Sequence, residues 1–281
     1  MITPGIHYGI PAKEYHADEC TPEVALTAGF AIDLIRCGPA RAWAKKYLPE
    51  DEEEDTDQMI FGRAAHYAVL EPKEFKKSVV ILDYENWRKK AAKDERDEIR
   101  AAGKIALLPK DLDILEGMAI AMRNGLEVPF KTAPDICRGI FEGGNAEVTI
   151  ICAGEEGVLP CRKARADYIK QGEEYDFLLD YKTTKHIGRN IDRLASTDRW
   201  DMRAAFYLDA YRTATGRHAV YVYLVQETTK PFFVTSYIVP ERQLLDGAAA
   251  VEEATKIFLR CRKTGIWESD VQDVKLLNIL T

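Results

Sequence analysis

The segment from residue 146 to residue 184 constrains the fold more than any other part of the chain. Its sequence, AEVTIICAGEEGVLPCRKARADYIKQGEEYDFLLDYKTT, alternates β-branched and aromatic residues with polar ones and is punctuated by GEEG and QGEE. This pattern predicts three antiparallel strands joined as a meander. The third strand is unusual because its apolar run, FLL, continues directly into DYK.

The flanking sequence predicts helices on both sides of this meander. Helical spacing of apolar residues precedes it, most clearly in DQMIFGRAAHYAVLEP, and two helices, two strands and a final helix from about 240 to 262 follow it. This order predicts an α/β (α+β) fold with a central mixed sheet flanked by helices. We expect one domain of catalytic size over 1–281, comprising an N-terminal arm and helices (1–56), a core (57–262) and a tail (263–281). Residues 1–20 should form an extended arm rather than a helix.

Composition restricts the class of protein. The chain has 281 residues, and 46% of them are hydrophobic, which is enough for a sizeable core. No signal peptide and no apolar run of membrane-spanning length is evident, so we expect a soluble, cytoplasmic protein without a membrane partner. The six cysteines lack CxxC spacing, which indicates reduced structural thiols.

The charge balance argues against one mode of nucleic-acid binding. A formal net charge of -7 argues against a protein that coats nucleic acid through bulk positive charge, but it is compatible with a local basic channel. Part of the acidic excess lies in EDEEEDTD at 50–57, which has the composition of a solvated loop.

Three charged residues in the meander predict a metal site. Asp180 and Lys182 are two apart on one strand and therefore share a face, and Asp167 on the preceding strand falls opposite or diagonal to Asp180. Two carboxylates about 5 Å apart repel by roughly 3 kcal/mol at an effective dielectric near 20. A bound Mg²⁺, or Mn²⁺ in its place, would offset this cost, and Lys182 would then assist an attacking water.

A simpler alternative exists for the same residues. Asp180 and Lys182 could instead form a salt bridge at the end of the strand, with Asp167 at a solvated edge. Ion pairs of this kind are common on strand surfaces. The spacing of an isolated D-x-K does not decide between the two.

Several blocks in a fixed order resemble one family. Asp167, a hairpin and a strand ending LLDYKTT resemble the signature of the PD-(D/E)xK nuclease superfamily, with Ala166 where Pro is common. The blocks EYHADECTPEVALTAGFAIDLIRCGPARAW, FGRAAHYAVLEPKEF, GVLPCRKARADYI and DYKTT are similar to those of RecE-type and lambda-type exonucleases. Together they cover most of the chain from about Tyr15 to Thr184.

The resemblance implies roles for further residues. It makes His66 a metal ligand beside Asp167 and Asp180. Many relatives carry Gln-x-x-x-Tyr in a later helix; here Arg203 replaces the Gln, and Tyr207 either faces the site or packs in the core. Glu147, near the start of the first strand, is either a further ligand or a strand-end surface residue.

Phosphate contacts require presented cations. Arg165 is the best candidate to bind a phosphate because its guanidinium engages two oxygens at once, and strand alternation puts it and Lys163 on the face of Asp167. Its alternative role is to balance the charge of Asp180. Arg36 and Arg41 are further candidates in the N-terminal helices.

The resemblance implies a Mg²⁺-dependent deoxyribonuclease of phage or prophage type that degrades double-stranded DNA ends 5′→3′. The resulting 3′ tail would pass to a single-strand annealing protein, and a ring-shaped homo-oligomer would enclose the DNA. Two rivals remain open: a RecB-like nuclease acting on single strands or a structure-specific endonuclease, and a non-catalytic DNA-binding scaffold. Only Cys261 lies near the C-terminus, which disfavours an iron–sulfur version.

Overall fold

The computed structural model describes residues 2–48, 56–124, 139–188 and 190–269. The helices are α1 (Ala12–His16), α2 (Ala28–Cys37), α3 (Pro39–Tyr47), α4 (Asp57–Leu70), α5 (Pro72–Ser78), α6 (Lys90–Ala101), α7 (Pro109–Asn124), α8 (Asn190–Thr197), α9 (Trp200–Thr215) and α10 (Glu241–Thr264). The strands are β1 (Gly5–His7), β2 (Val79–Ile81), β3 (Ile105–Leu107), β4 (Asn145–Cys152), β5 (Arg162–Lys170), β6 (Asp176–Thr184), β7 (Ala219–Glu227) and β8 (Val234–Tyr237).

A six-stranded mixed sheet forms the centre, with strand order β1-β4-β5-β6-β7-β8. The predicted meander is confirmed as β4, β5 and β6, which pair antiparallel. Strands β6 and β7 pair in parallel, and α8 and α9 make the crossover between them, as a parallel pair requires. The predicted fold class, a mixed sheet flanked by helices, is confirmed.

Each face of the sheet buries its own apolar core. On one face α2, α9 and α10 pack through Phe30, Phe206 and Phe258, all of which are buried. On the other face α4 and α7 pack through residues such as Val69 and Met118. Both faces are therefore covered, and a polar site can open only where the covering helices leave a gap.

The N-terminal prediction was wrong in detail. Residues 1–20 were expected to form an extended arm without a helix, but the structure has β1, α1 and a 3₁₀ turn at Asp18–Cys20. Short elements of this size carry little periodic signal, and tertiary contacts stabilise them. Lys163 Nζ donates to the carbonyls of Tyr15 and Ala17, 2.8 Å from each, and β1 pairs with β4.

Some elements carried no recognised signal. The two-stranded parallel sheet of β2 and β3 and the helix α5 were not predicted, because segments of three to seven residues fall below the length at which periodicity is informative.

Several predictions concern residues outside the described ranges. Five of the six cysteines are free thiols within the described chain, whereas Cys137 lies outside it. Most of the acidic run at 50–57 and the tail from residue 270 also lie outside it. Among the described helices, none combines the length and the apolar character that crossing a bilayer requires.

Candidate metal centre

The β4–β5 ladder is interrupted at one position, and two carboxylates occupy it. Ala146 pairs with Tyr168 and Val148 pairs with Ala166, but the intervening Glu147 and Asp167 form no recorded pair. Glu147 has φ 54°, a left-handed conformation that costs a non-glycine residue about 1–2 kcal/mol. The distortion turns Val148 and Ala146 toward opposite cores, although a regular strand would place them on the same face.

Helix α4 brings an imidazole to these carboxylates. The helix begins after Thr56, whose hydroxyl accepts the Met59 amide at 3.3 Å, and its buried residues, including Ala64 and Ala65, pack against the sheet. His66 follows them directly at the edge of this packed face. Its Nε2 atom lies 3.4 Å from Glu147 Oε1 and 3.4 Å from Asp167 Oδ2.

These three residues form a potential ligand set. One atom from each of His66, Glu147 and Asp167 lies within 4.8 Å of the others, and all three side chains are half-buried. The sequence predicted His66 and Asp167 for this site and left Glu147 open between ligand and surface residue. The structure places Glu147 with the other two.

In this ligand set, the charges of neighbouring residues outweigh the effect of burial on the pKa of His66 and of Asp167. Burial alone would lower the pKa of His66, but the charge of Asp167 and its hydrogen bond, with Glu147 and Glu71 behind them, raise the pKa to about 9. Burial alone would likewise raise the pKa of Asp167, whereas His66, Lys182 and the Tyr181 amide hold it below its ordinary value. A positive charge between the two carboxylates is therefore strongly favoured.

The donor set suits a hard divalent cation. Two carboxylate oxygens and one imidazole nitrogen are compatible with Mg²⁺ or Mn²⁺, and the described residues place no thiol in the group. Asp180 is a further buried carboxylate close to this group, and the Lys182 ammonium is paired with its Oδ1 atom. The residues thus fit a divalent metal without identifying the ion.

Asp180 and Lys182 lie beside this set and contact one another. The Lys182 ammonium forms an ion pair with Asp180 Oδ1, and Tyr221 donates to Asp180 Oδ2 at 3.1 Å. Asp167 lies one position beyond the last recorded β5–β6 pair, Tyr168 with Leu179, and its carboxylate accepts the Tyr181 amide at 2.8 Å. Asp180 is therefore not part of the three-residue set, and its predicted role as a metal ligand stays a prediction.

Two cavities border the set. The first, which we call the main groove, has a volume of about 1150 Å³ and is lined by His66, Glu147, Asp167, Arg165 and Lys182 among others. The second has a volume of about 520 Å³ and shares Glu147, Arg165 and Asp167 with the first. The carboxylates thus lie where two open spaces meet, which leaves room for an elongated substrate.

Arg165 and Tyr207 both line cavities that border the ligand set, and Tyr207 also packs in the core. Arg165 forms an ion pair with Glu147 through Nε and donates from Nη1 to the Ile10 carbonyl at 2.7 Å. Tyr207 lines the second cavity, and its hydroxyl donates to the Arg165 carbonyl at 3.0 Å. Arg165 therefore balances Glu147, and the charge-balancing alternative with Asp180 as its partner is not what the structure shows.

The structure does not bring Arg36 and Arg41 to the site. Neither residue lines the main groove or the second cavity. Arg36 Nη1 instead donates to the Thr197 carbonyl at 3.3 Å, at the end of α8. Their predicted phosphate contacts would therefore have to lie away from the carboxylates.

Two residues at the site were not assigned a role from sequence. Glu71, the residue that follows α4, lines the main groove, and burial followed by the charge of Glu147 raises its pKa. Arg203 lines the second cavity. Burial alone would lower the pKa of Arg203, but the charge of Asp180 raises it. The available signal was position: Arg203 precedes Tyr207 by one helical turn, and Glu71 follows His66 by five residues.

Comparisons with known proteins identify the family of the chain. A family model described as a PDDEXK-like domain of unknown function (DUF3799) matches residues 32–275, most of the chain. The chain belongs to this family and, through it, to the PD-(D/E)xK nuclease superfamily. The match does not distinguish a RecE-type member from others.

One solved structure shares the fold over nearly the whole chain. A structure from Eubacterium rectale, described as a "Putative exonuclease", matches with a TM-score of 0.58 over 98% of this chain and 97% of that chain, at 12% identity. At this identity the similarity shows a shared fold. A structure described as SSO0001 covers 76% of this chain and 82% of its own at 14% identity, and its TM-score of 0.28 supports no conclusion. No curated protein matches the chain.

Proposed function

We propose that this protein is a divalent-metal-dependent deoxyribonuclease that digests double-stranded DNA from its ends, with 5′→3′ polarity. The observation that carries the proposal is the convergence of His66, Glu147 and Asp167 within 4.8 Å in a groove that Lys182 also lines. The family description and the described fold neighbour support nuclease chemistry. The end preference and the polarity rest on the motif resemblance alone.

The residues of the chain divide into holding and activating groups. His66, Glu147 and Asp167 would hold the cation, and the carboxylate of Asp180, which is paired with Lys182, would supply a further oxygen. A bound divalent cation would supply Lewis-acid charge at a phosphodiester oxygen. Lys182, held by Asp180, would direct its ammonium at the attacking water and at the charge that develops on the phosphate.

Arg165 would act on the substrate through charge. It is paired with Glu147 and lines both cavities, so a phosphate that enters the groove meets its guanidinium close to the ligand set. A guanidinium fork can bind two phosphate oxygens at once. Arg165 would thus orient the scissile phosphate while the Glu147 pairing holds its side chain in place.

The wider role follows from the same proposal. Digestion of one strand would leave a 3′ single-stranded tail for a strand-annealing protein. A ring-shaped homo-oligomer would enclose the duplex and reconcile DNA binding with a net charge of -7, because its cations would be concentrated along the channel. Mg²⁺ is the proposed physiological ion and Mn²⁺ a substitute.

Blunt duplex DNA labelled separately at the 5′ and the 3′ end tests the proposal. With Mg²⁺ we expect early release of 5′-terminal mononucleotides while the 3′ label stays on long products, and EDTA should stop the reaction. Internal cuts would support an endonuclease, and digestion of only single strands would support a RecB-like enzyme. Failure to cleave with both Mg²⁺ and Mn²⁺ would favour a DNA-binding scaffold.

A further inference from the structure

A further cavity beside α4, next to the main groove, carries a concentration of positive charge. Its volume is about 480 Å³, and it lies between α4, α6 and the start of β3. We call it the basic cavity. Its charged lining consists of four cations and one carboxylate: Arg63, Arg96, Arg100, Lys104 and Asp97. This balance is the reverse of that of the whole chain, which is net acidic.

The arginines of α6 face inward. Arg96 and Arg100 are four residues apart and share a helix face with the buried Ala92. Their side chains are only 20% and 26% exposed, whereas most other positions of this helix are exposed. Arginine is rarely placed on the inner face of a helix unless the charge has a partner there.

Both arginines of α6 are ion-paired, but one donor nitrogen of Arg100 has no acceptor within the described residues. Arg96 Nη2 lies 2.7 Å from Asp97 Oδ1, and Arg100 Nη2 lies 2.9 Å from Asp57 Oδ1. Arg100 Nε is buried and finds no acceptor within the described residues. A buried donor without an acceptor costs about 1–3 kcal/mol, so an anion that reached it would be bound favourably.

The basic cavity adjoins the main groove. Arg63 and Tyr67, one turn apart on α4, line both spaces. His66 of the ligand set lies on the same turn of the helix. A chain of phosphates that leaves the ligand set along α4 would therefore meet these cations next.

We infer that the basic cavity, with Lys104 at its exposed edge, binds a backbone phosphate of the DNA substrate away from the scissile one. Guanidinium groups and an ammonium around a concave space are the side chains that recognise phosphodiester oxygens. The inference rests on the proposed function for the identity of the polyanion. It adds a contact that fixes the path of the strand across α4.

The test measures DNA binding by protein that does not cleave. In the Lys182→Ala background, Arg96→Gln and Lys104→Gln are each compared with the parent and with Lys256→Gln, a charge-matched control whose ammonium pairs with Glu252 on α10. A fluorescent 20-base-pair duplex is titrated at several salt concentrations. Thermal unfolding of each variant shows that it is folded, and Lys104→Arg tests whether charge restores binding.

Each cavity variant should bind DNA about eightfold more weakly near 0.1 M salt. The slope of the logarithm of the binding constant against the logarithm of the salt concentration should be about 0.9 shallower, because fewer counterions are released when one phosphate contact is missing. Lys256→Gln should match the parent and Lys104→Arg should bind like it. Parent-like affinity and slope in both cavity variants would overturn the inference. The inference would also be overturned if the cavity variants changed the binding of inorganic phosphate but not the binding of DNA.

Cleavage by the wild-type protein separates this inference from the proposed function. Cleavage with unchanged binding in the cavity variants would remove the phosphate subsite and leave the nuclease in place. Weakened binding without any wild-type cleavage would retain the subsite and remove the nuclease.

Discussion

Glu147 and Asp167 lie across from each other on β4 and β5, at the one position where the recorded ladder between Asn145 and Cys152 is interrupted. The backbone of Glu147 is in the left-handed region there. Both carboxylates meet His66 Nε2 at 3.4 Å. Non-glycine residues in such conformations cluster at functional sites, where the surrounding structure holds them in place. The distortion therefore marks the position at which the sheet presents its acidic groups.

Replacing Lys182 by Ala should remove cleavage and leave DNA binding intact. The ammonium is predicted to stabilise charge that develops in the reaction, so its loss should reduce kcat at least about 100-fold. Single-turnover cleavage and duplex binding are measured side by side. Lys185→Ala, an exposed lysine just beyond β6, is the matched control and should cleave normally. An active Lys182→Ala protein would exclude Lys182 from the mechanism.

Replacing His66 by Ala should weaken metal binding. The change removes one of three converging ligand atoms, and loss of even outer contacts at metal sites costs about 10–100-fold in affinity. Mn²⁺ affinity, measured by calorimetry, should therefore fall at least tenfold. His218→Gln, outside both cavities that border the ligand set, should bind Mn²⁺ like the wild type. Equal affinities for the two variants would argue that the imidazole is not a ligand.

The free energy of unfolding should depend on pH through the carboxylate of Asp176. Its carboxylate has no exposed surface and accepts hydrogen bonds from Arg217 and Tyr211, and these, led by Arg217, lower its pKa. Because the pKa of Asp176 is lower in the folded protein, its carboxylate contributes its full stabilisation above its pKa in the unfolded chain, about 4. This stabilisation is lost as the pH falls through the pKa of Asp176 in the folded protein. Asp176→Asn should cost about 1–3 kcal/mol at pH 7, because it weakens charge-assisted hydrogen bonds to a buried carboxylate whose partner Arg217 is partly exposed.

Urea unfolding at pH 7 and pH 3.5 measures this effect. The difference in the free energy of unfolding between wild type and Asp176→Asn should shrink at the lower pH. The exposed Asp94→Asn on α6 should change stability by no more than about 0.5 kcal/mol at either pH. A gap between wild type and Asp176→Asn that is the same at both pH values would contradict the assignment.

Gly247 should tolerate no side chain. It lies in α10 where this helix crosses the start of α9, and an added methyl would overlap the backbone carbonyl of Asp201. Gly247→Ala should therefore destabilise the fold by about 2 kcal/mol or more, although alanine is the better helix former. Gly29→Ala in α2 meets no atom within 4 Å and should be neutral or stabilising. Calorimetric unfolding of both variants tests this prediction, and a Gly247→Ala protein as stable as Gly29→Ala would contradict it.

The sequence predicted the ligand set only in part. His66 followed from the motif resemblance alone, whereas Asp167 followed from its place on the strand before Asp180 and from the same resemblance. Glu147 stayed undecided because its position depends on a distorted ladder that alternation cannot reveal. Asp180 was expected to share an ion with Asp167; its carboxylate contacts Lys182 and Tyr221, and its role as a ligand stays a prediction.

By itself, the sequence determined the meander, the helices longer than about eight residues within the described chain, and the candidate acid–lysine chemistry. These features depend on local periodicity and on residue type, which each segment carries independently of the others. Tertiary structure alone decided the short N-terminal elements, the inward-facing arginines of α6 and the meeting of Glu147 with His66. Those features depend on contacts between residues far apart in the chain, and such contacts leave no period in the sequence.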